Sequence, residues 1–256
     1  SVMVQGWDKP FYCSKKAGHG TQTLKVATGN SCNPAFISIG LKMGTQKYYK
    51  YLRSFGLMDP TGFDMAVGEG KGIFADEKNF NSNVVSLASY AFGQTFNVTP
   101  LELIRAQAAC VNGGYLYEPY VVEQVLDGEG NILSQHEATP IRQVISEETS
   151  AKVRECLEYG VASGTGRNGQ VNGYRIGGKT GTADKTGTRT AANPKGDIVV
   201  SFMCFAPADD PQYIMLITMD TPSRNTGVFV SGGNMVAPTA SRIMGEILPD
   251  LGIEPD

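Results

Sequence analysis

Two apolar, β-branched runs, Asp197 to Phe205 and Gln212 to Met219, are separated by little more than Pro207-Ala208-Asp209-Asp210-Pro211. So short a connection joins neighbouring strands only as an antiparallel hairpin, because a parallel pair needs a crossover of a dozen residues or more. This fixes an antiparallel sheet in the C-terminal third. The segments upstream carry helix signals instead. Asn33-Pro34 reads as a cap followed by proline at the first helical position, and Ala35 to Ile39 continue the helix. Thr45 is the expected cap of a second helix that stops at Gly56, with Tyr48, Leu52 and Phe55 on one face.

Thr99-Pro100 opens the clearest helix, with Leu101, Ile104, Ala108 and Val111 on one stripe and Gly113-Gly114 as its stop. Ser146-Glu147-Glu148 caps another, its acidic residues placed in the first turn. Ala237 to Leu248 reads as a last helix packing back on the sheet. Tyr120 to Val125 and Asn131 to Leu133 flank Asp127-Gly128-Glu129-Gly130, a hairpin signal. Residues 1–30 and 57–98 are expected to be largely irregular, and a stretch as long as the second is usually functional. Helices in the middle, strands after them and a final helix make an α+β order, not an alternating βαβ order.

The 256 residues suffice for one large domain, and 41 % apolar against 18 % charged residues is ordinary globular composition. The net charge of −3 argues against a nucleic-acid partner, since no basic stripe is available to neutralise phosphates. No apolar run is long enough to span a membrane, and Ser1-Val2-Met3-Val4 reads as strand without the charged opening of a signal peptide. The sequence is therefore expected to be the interior of a longer protein. Five scattered cysteines do not form a disulfide framework; Cys110, Cys156 and Cys204 lie in apolar contexts and are expected to be buried thiols.

Two short motifs carry chemistry. Lys179-Thr180-Gly181-Thr182 closes a strand-like run, Tyr174 to Gly178. An ammonium at a strand end can hold a substrate carboxylate, and Gly181 lets a ligand backbone lie close. The Thr182 hydroxyl can donate to a carboxylate while its N–H faces a developing oxyanion. Taken alone, the tripeptide also fits a plain strand end. Ser31-Cys32-Asn33 places a hydroxyl that can relay a proton two residues before an amide that can hold a substrate amide. Alone, it fits a turn and a helix cap equally well.

Order and surroundings decide between these readings. A Ser-x-Asn type triplet and a Lys-Thr-Gly are two of the three motifs of β-lactamases and penicillin-binding proteins. The stretches Asn30 to Phe36, Phe92-Gly93-Gln94, Val98 to Leu101, Ala109 to Gly114, Gly178 to Ala183, Phe205-Ala206-Pro207 and Gly232 to Pro238 together resemble a class B penicillin-binding protein. The resemblance runs from about residue 19 to the end and is closest to the sporulation and division types of Gram-positive spore formers. It implies an α+β transpeptidase fold, with an antiparallel sheet flanked by helices and an all-helical part. It also implies a serine D,D-transpeptidase that cross-links peptidoglycan stem peptides ending in D-Ala-D-Ala and is trapped by β-lactams. Ser31, Asn33 and Lys179 would be catalytic; Thr180, Gly181 and Thr182 would bind substrate. No cofactor is implied for catalysis. A glycosyltransferase of the cell-wall machinery is an implied partner, and a membrane anchor outside this sequence would hold the parent at the extracytoplasmic face.

The third motif departs from the pattern. No serine is followed three residues later by lysine anywhere in the sequence. Residues 1–256 are therefore expected to be a partial transpeptidase domain, completed by a nucleophile segment that precedes residue 1. Alternatives are a catalytically inactive substrate-binding or scaffold module, and a D,D-carboxypeptidase. Near the start, Cys13 and His19, with Asp8 nearby, offer sulfur, nitrogen and oxygen ligands of the kind zinc accepts. Some spore-former transpeptidases resemble this stretch and bind zinc here, so a structural Zn site with a fourth ligand from before residue 1 is expected.

Overall fold

The computed structural model describes residues 1–65 and 68–255. Ala66, Val67 and Asp256, which fall within the expected 57–98 stretch and the expected 1–256 domain, lie outside the described residues. In chain order the helices are α1 (Leu24–Gly29), α2 (Asn33–Met43), α3 (Thr45–Ser54), α4 (Glu77–Asn81), α5 (Val84–Ala91) and α6 (Pro100–Val111). Then follow β1 (Tyr115–Leu116), β2 (Gln124–Leu126), β3 (Ile132–Gln135), β4 (Arg142–Gln143), α7 (Glu147–Ala162), β5 (Gly177–Asp184), β6 (Ile198–Ala206), β7 (Tyr213–Asp220) and α8 (Ala237–Asp250). No helix is long and apolar enough to cross a membrane among the described residues.

The principal sheet has the order β5-β6-β7, antiparallel throughout. Its middle strand is buried on both faces, which explains why β6 reads as a continuous apolar run and not as an alternation. Val200, Phe202 and Cys204 pack with Val236, Ala240, Met244 and Leu248, so α8 covers one face. Met203 and Phe205 pack with Val111 and Leu157, so α6 and α7 cover the other. Phe202 and Phe205 are fully enclosed; truncating either to alanine costs about 3–5 kcal/mol. A separate aromatic core, with Tyr49, Phe80, Leu87 and Tyr90 at its centre, holds α3, α4 and α5 together.

The α6 start is as the sequence predicts: Thr99 accepts from the Glu102 N–H while the Glu102 carboxylate accepts from the Thr99 N–H, a full capping box. Ser146 likewise caps α7 through the Thr149 N–H. Other boundaries differ. Cys32, not Asn33, is the N-cap of α2, and Asn33 is the first helical residue. Gly44 precedes α3, so Thr45 is helical and its hydroxyl instead donates to the Asn81 carbonyl. The 57–98 stretch contains α4 and α5, capped by the Asp76 and Asn83 side chains, and α1 lies within the first 30 residues. These helices are short, and their periodicity is too brief to stand out from turn-rich flanks.

One close approach positions the site. The turn after α1 packs on α7 where both chains carry glycine. A Cβ on Gly29 would lie 2.8 Å from the Tyr159 ring, and one on Gly164 would lie 2.4 Å from the Gly29 carbonyl oxygen. Thr165 N–H, just beyond α7, donates to that same Gly29 oxygen at 2.9 Å. α7 also packs against β5.

Candidate active site

Ser31 sits in the tight connection between α1 and α2, at φ 49°. That left-handed conformation is costly for a residue with a Cβ, and it aims the hydroxyl across to β5. Lys179 Nζ donates to Ser31 Oγ at 2.7 Å and to the Thr180 carbonyl at 2.9 Å. The ammonium has no carboxylate among the ion pairs of the described residues. Its enclosure therefore goes uncompensated, and burial pushes the Lys179 pKa down from 10.5 to about 8. Ser31 and Lys179, 148 positions apart, are joined as the two motifs require. Asn33 lies two residues beyond Ser31, at the start of α2.

The Lys179 motif does not end a strand, as expected from Tyr174 to Gly178; it runs through β5, which continues to Asp184. The pairing register shows what this achieves. Lys185 N–H donates to the Asp197 carbonyl at 2.8 Å. In an antiparallel ladder alternate residues face the partner strand. Lys179, Gly181 and Ala183 therefore pair with Met203, Ser201 and Val199, while Thr180 and Thr182 turn their N–H and C=O groups to the opposite edge. That edge belongs to no other strand among the described residues.

Small residues keep the motif in place. A Cβ on Gly181 would lie 2.3 Å from Ser201 Oγ, and one on Gly232 would lie 2.1 Å from the Ser201 carbonyl oxygen. Gly232 N–H donates to Thr182 Oγ1 at 3.3 Å, which leaves the Thr182 hydroxyl hydrogen free to donate elsewhere. Thr180 Oγ1 and Thr165 Oγ1 are hydrogen-bonded at 2.9 Å. Neither Thr165 nor Gly232 was singled out as a site residue by sequence reasoning. Gly232-Gly233 stood out only within the family resemblance, and nothing in local pattern marks Thr165.

A second cluster lies immediately behind Ser31. Cys13, His19 and Cys32 bring their ligand atoms within 4.8 Å of one another, with Cys13 Sγ 3.3 Å from His19 Nδ1. Burial opposes ionisation of the Cys13 thiol. Hydrogen bonds from the Lys15 backbone, the Ser14 and Cys32 side chains and the Asn33 backbone together outweigh it and lower its pKa. Ligand atoms around a tetrahedral zinc stand about 3.5 Å apart, given Zn–S near 2.3 Å and Zn–N near 2.0 Å. The donor set therefore fits zinc. The expected third ligand does not belong to it: Asp8 is exposed, in the turn closed by the Val2–Phe11 bridge, and Cys32 takes its place. In the sequence Cys32 stands inside the Ser31-Cys32-Asn33 triplet, and nothing local links it to Cys13 and His19. All five cysteines are free; Cys204 is buried as expected, whereas Cys110 and Cys156 are partly exposed.

Residues 4–245 match the family of the penicillin binding protein transpeptidase domain. The chain belongs to this transpeptidase family. Stage V sporulation protein D of Bacillus subtilis is 42 % identical over 244 residues, which span 95 % of this chain and 36 % of that protein. Penicillin-binding protein PbpB of Mycolicibacterium smegmatis is 29 % identical, over 80 % of this chain and 33 % of its own length. The chain thus spans about a third of the length of these curated relatives. Among solved structures, the D,D-transpeptidase domain of an Eggerthella lenta peptidoglycan glycosyltransferase superposes with TM-score 0.77 at 25 % identity, covering 94 % of this chain and 56 % of that one. Penicillin binding protein 3 of Mycobacterium tuberculosis complexed with aztreonam gives TM-score 0.78 at 26 % identity, covering 91 % and 52 %. The class B assignment, the sporulation-type relationship and the α+β transpeptidase fold expected from the sequence are borne out.

Proposed function

We propose that this chain forms the substrate-receiving part of a serine D,D-transpeptidase that cross-links peptidoglycan stem peptides and is acylated by β-lactams. The observation that carries the reading is the 2.7 Å contact between a lysine of lowered pKa and the Ser31 hydroxyl. This contact lies beside a strand edge that presents Thr182 N–H. A stem peptide ending in D-Ala-D-Ala lays its backbone along that edge. The Lys179 ammonium and the Thr180 and Thr182 hydroxyls receive its terminal carboxylate. Asn33 holds a substrate amide. The attacking serine gives its proton to the lysine of its own motif as its oxygen bonds to the penultimate carbonyl carbon, and Thr182 N–H stabilises the resulting oxyanion. The carbon–nitrogen bond to the last D-Ala then breaks. Ser31 hands a proton to the departing amine and is reprotonated from Lys179. An amine of a neighbouring strand then attacks the acyl carbon, its proton passing through Ser31 back to Lys179 while the lysine of the serine motif returns its proton to the departing serine, which completes the cross-link.

The attacking serine and its lysine, absent from this sequence as a Ser-x-x-Lys, are supplied by a segment preceding residue 1. The domain is complete only with that segment and works at the outer face of the cell membrane. Incubation of this chain and of the intact natural polypeptide with a fluorescent penicillin tests the reading. Covalent labelling of the intact polypeptide alone is expected; labelling of neither would sink the enzyme reading and favour a non-catalytic module.

Cys13, His19 and Cys32 hold a structural zinc ion, which supplies no chemistry to catalysis but ties the first 20 residues to the Ser31 turn. Metal analysis of purified protein is expected to find zinc that is lost in Cys13→Ala and Cys32→Ala and kept in Asp8→Ala. Equal metal content in all of them would reject the site.

A further inference from the structure

The open edge of β5 is not wholly free. Of its outward carbonyls, that of Thr180 accepts from Lys179 Nζ, and that of Thr182 accepts from Gln94 Nε2 at 3.4 Å. Gln94 stands 88 positions from Thr182, in the turn that follows α5, on the helical side of the cleft. Its backbone is tied down: Gln94 N–H donates to the Ser89 carbonyl at 3.0 Å, and Thr95 Oγ1 donates to the Gln94 carbonyl at 2.6 Å. Gly93 at φ 86° and Thr95 at φ 69° bracket it with two left-handed residues.

An extended peptide added to this edge as an antiparallel neighbour uses both polar groups of one residue, an N–H and a C=O. At Thr182 the N–H is available and the C=O already has one partner. A ligand that brings its own amide N–H to the Thr182 carbonyl shares that oxygen with Gln94 and competes with it for room on the edge; a ligand without one leaves Gln94 where it is. We propose that Gln94 is a specificity-determining residue, an internal competitor that holds the Thr182 carbonyl and lowers the advantage of amide-bearing ligands over ligands that lack the amide. This rests on the transpeptidase reading of the same site.

The test uses the intact natural polypeptide and two penicillins that share one ring system: benzylpenicillin, which carries a side-chain amide, and penicillanic acid, whose C6 bears no nitrogen and so no N–H donor. Acylation rate constants are read by competition with a fluorescent penicillin. Gln94→Ala removes the donor and the bulk; Gln94→Met removes the donor and keeps the bulk. Loss of one competing hydrogen bond raises benzylpenicillin acylation about fivefold. The rate for penicillanic acid stays unchanged, so the ratio of the two rises about fivefold in both variants. An unchanged ratio, or a parallel change for both ligands, overturns the proposal while leaving the transpeptidase reading standing. Failure of the wild-type protein to be acylated by either ligand removes both.

Discussion

Replacing Lys179 with methionine separates the cost of its buried charge from its contacts. Displacement of the pKa from 10.5 to about 8 corresponds to about 3 kcal/mol of penalty on the protonated form in the folded protein. Below about pH 8 the lysine is protonated whether folded or unfolded, and the whole penalty bears on stability. Between about pH 8 and 10.5 the folded protein has released the proton and the unfolded chain has kept it, so stability rises with pH. The methionine variant has no such proton. The stability of wild type relative to Lys179→Met should therefore improve by about 3 kcal/mol between about pH 7 and 10.5. The lost bonds to Ser31 and Thr180 set the offset between the two proteins but not this slope. Denaturant unfolding of both proteins at the two pH values measures the change, and the lysine 13Cε shift reports the titration directly. A pH-independent difference, or a Lys179 resonance that titrates with the surface lysines, would refute the argument that enclosure governs this group.

Three further outcomes follow from the geometry. Gly232→Ala drives a Cβ into the Ser201 carbonyl at 2.1 Å; backbone must move, and a loss of about 1–3 kcal/mol in thermal unfolding is expected. Gly181→Ala meets only the Ser201 hydroxyl, at 2.3 Å, so Ser201→Ala in the same chain should recover most of the loss in a double-mutant cycle, which additive behaviour would contradict. Thr99→Ala removes half of the capping box of α6 and should cost about 1 kcal/mol, read by the unfolding midpoint.

The parts legible in the sequence are those governed by local chemistry. Thr99 and Ser146 announce their helices because a capping hydroxyl needs only the next turn to act. The β6–β7 pair follows from two runs and a short loop. Lys179 and Ser31 were readable only as motifs; their contact depends on α7, to which neither belongs. Cys32 and Gln94 were missed as a ligand and as a cross-cleft donor for the same reason. Each acts on a partner distant in sequence, Cys32 on Cys13 and His19, Gln94 on Thr182. The exchange of Asp8 for Cys32 illustrates this, since nearness in sequence says little about which atoms converge in a turn-rich segment.

The glycine contact between the Ser31 turn and α7 has a consequence for tolerance to motion. α7 touches the Gly29 backbone on one side and β5 on the other. Ser31 and Lys179 are thus both referenced to one rigid rod instead of being held by separate scaffolds. If α7 shifts, both residues shift with it, and the error common to both cancels from the gap between them. The 2.7 Å spacing is in that sense a differential quantity, whereas the Gln94 contact joins β5 to the turn beyond α5.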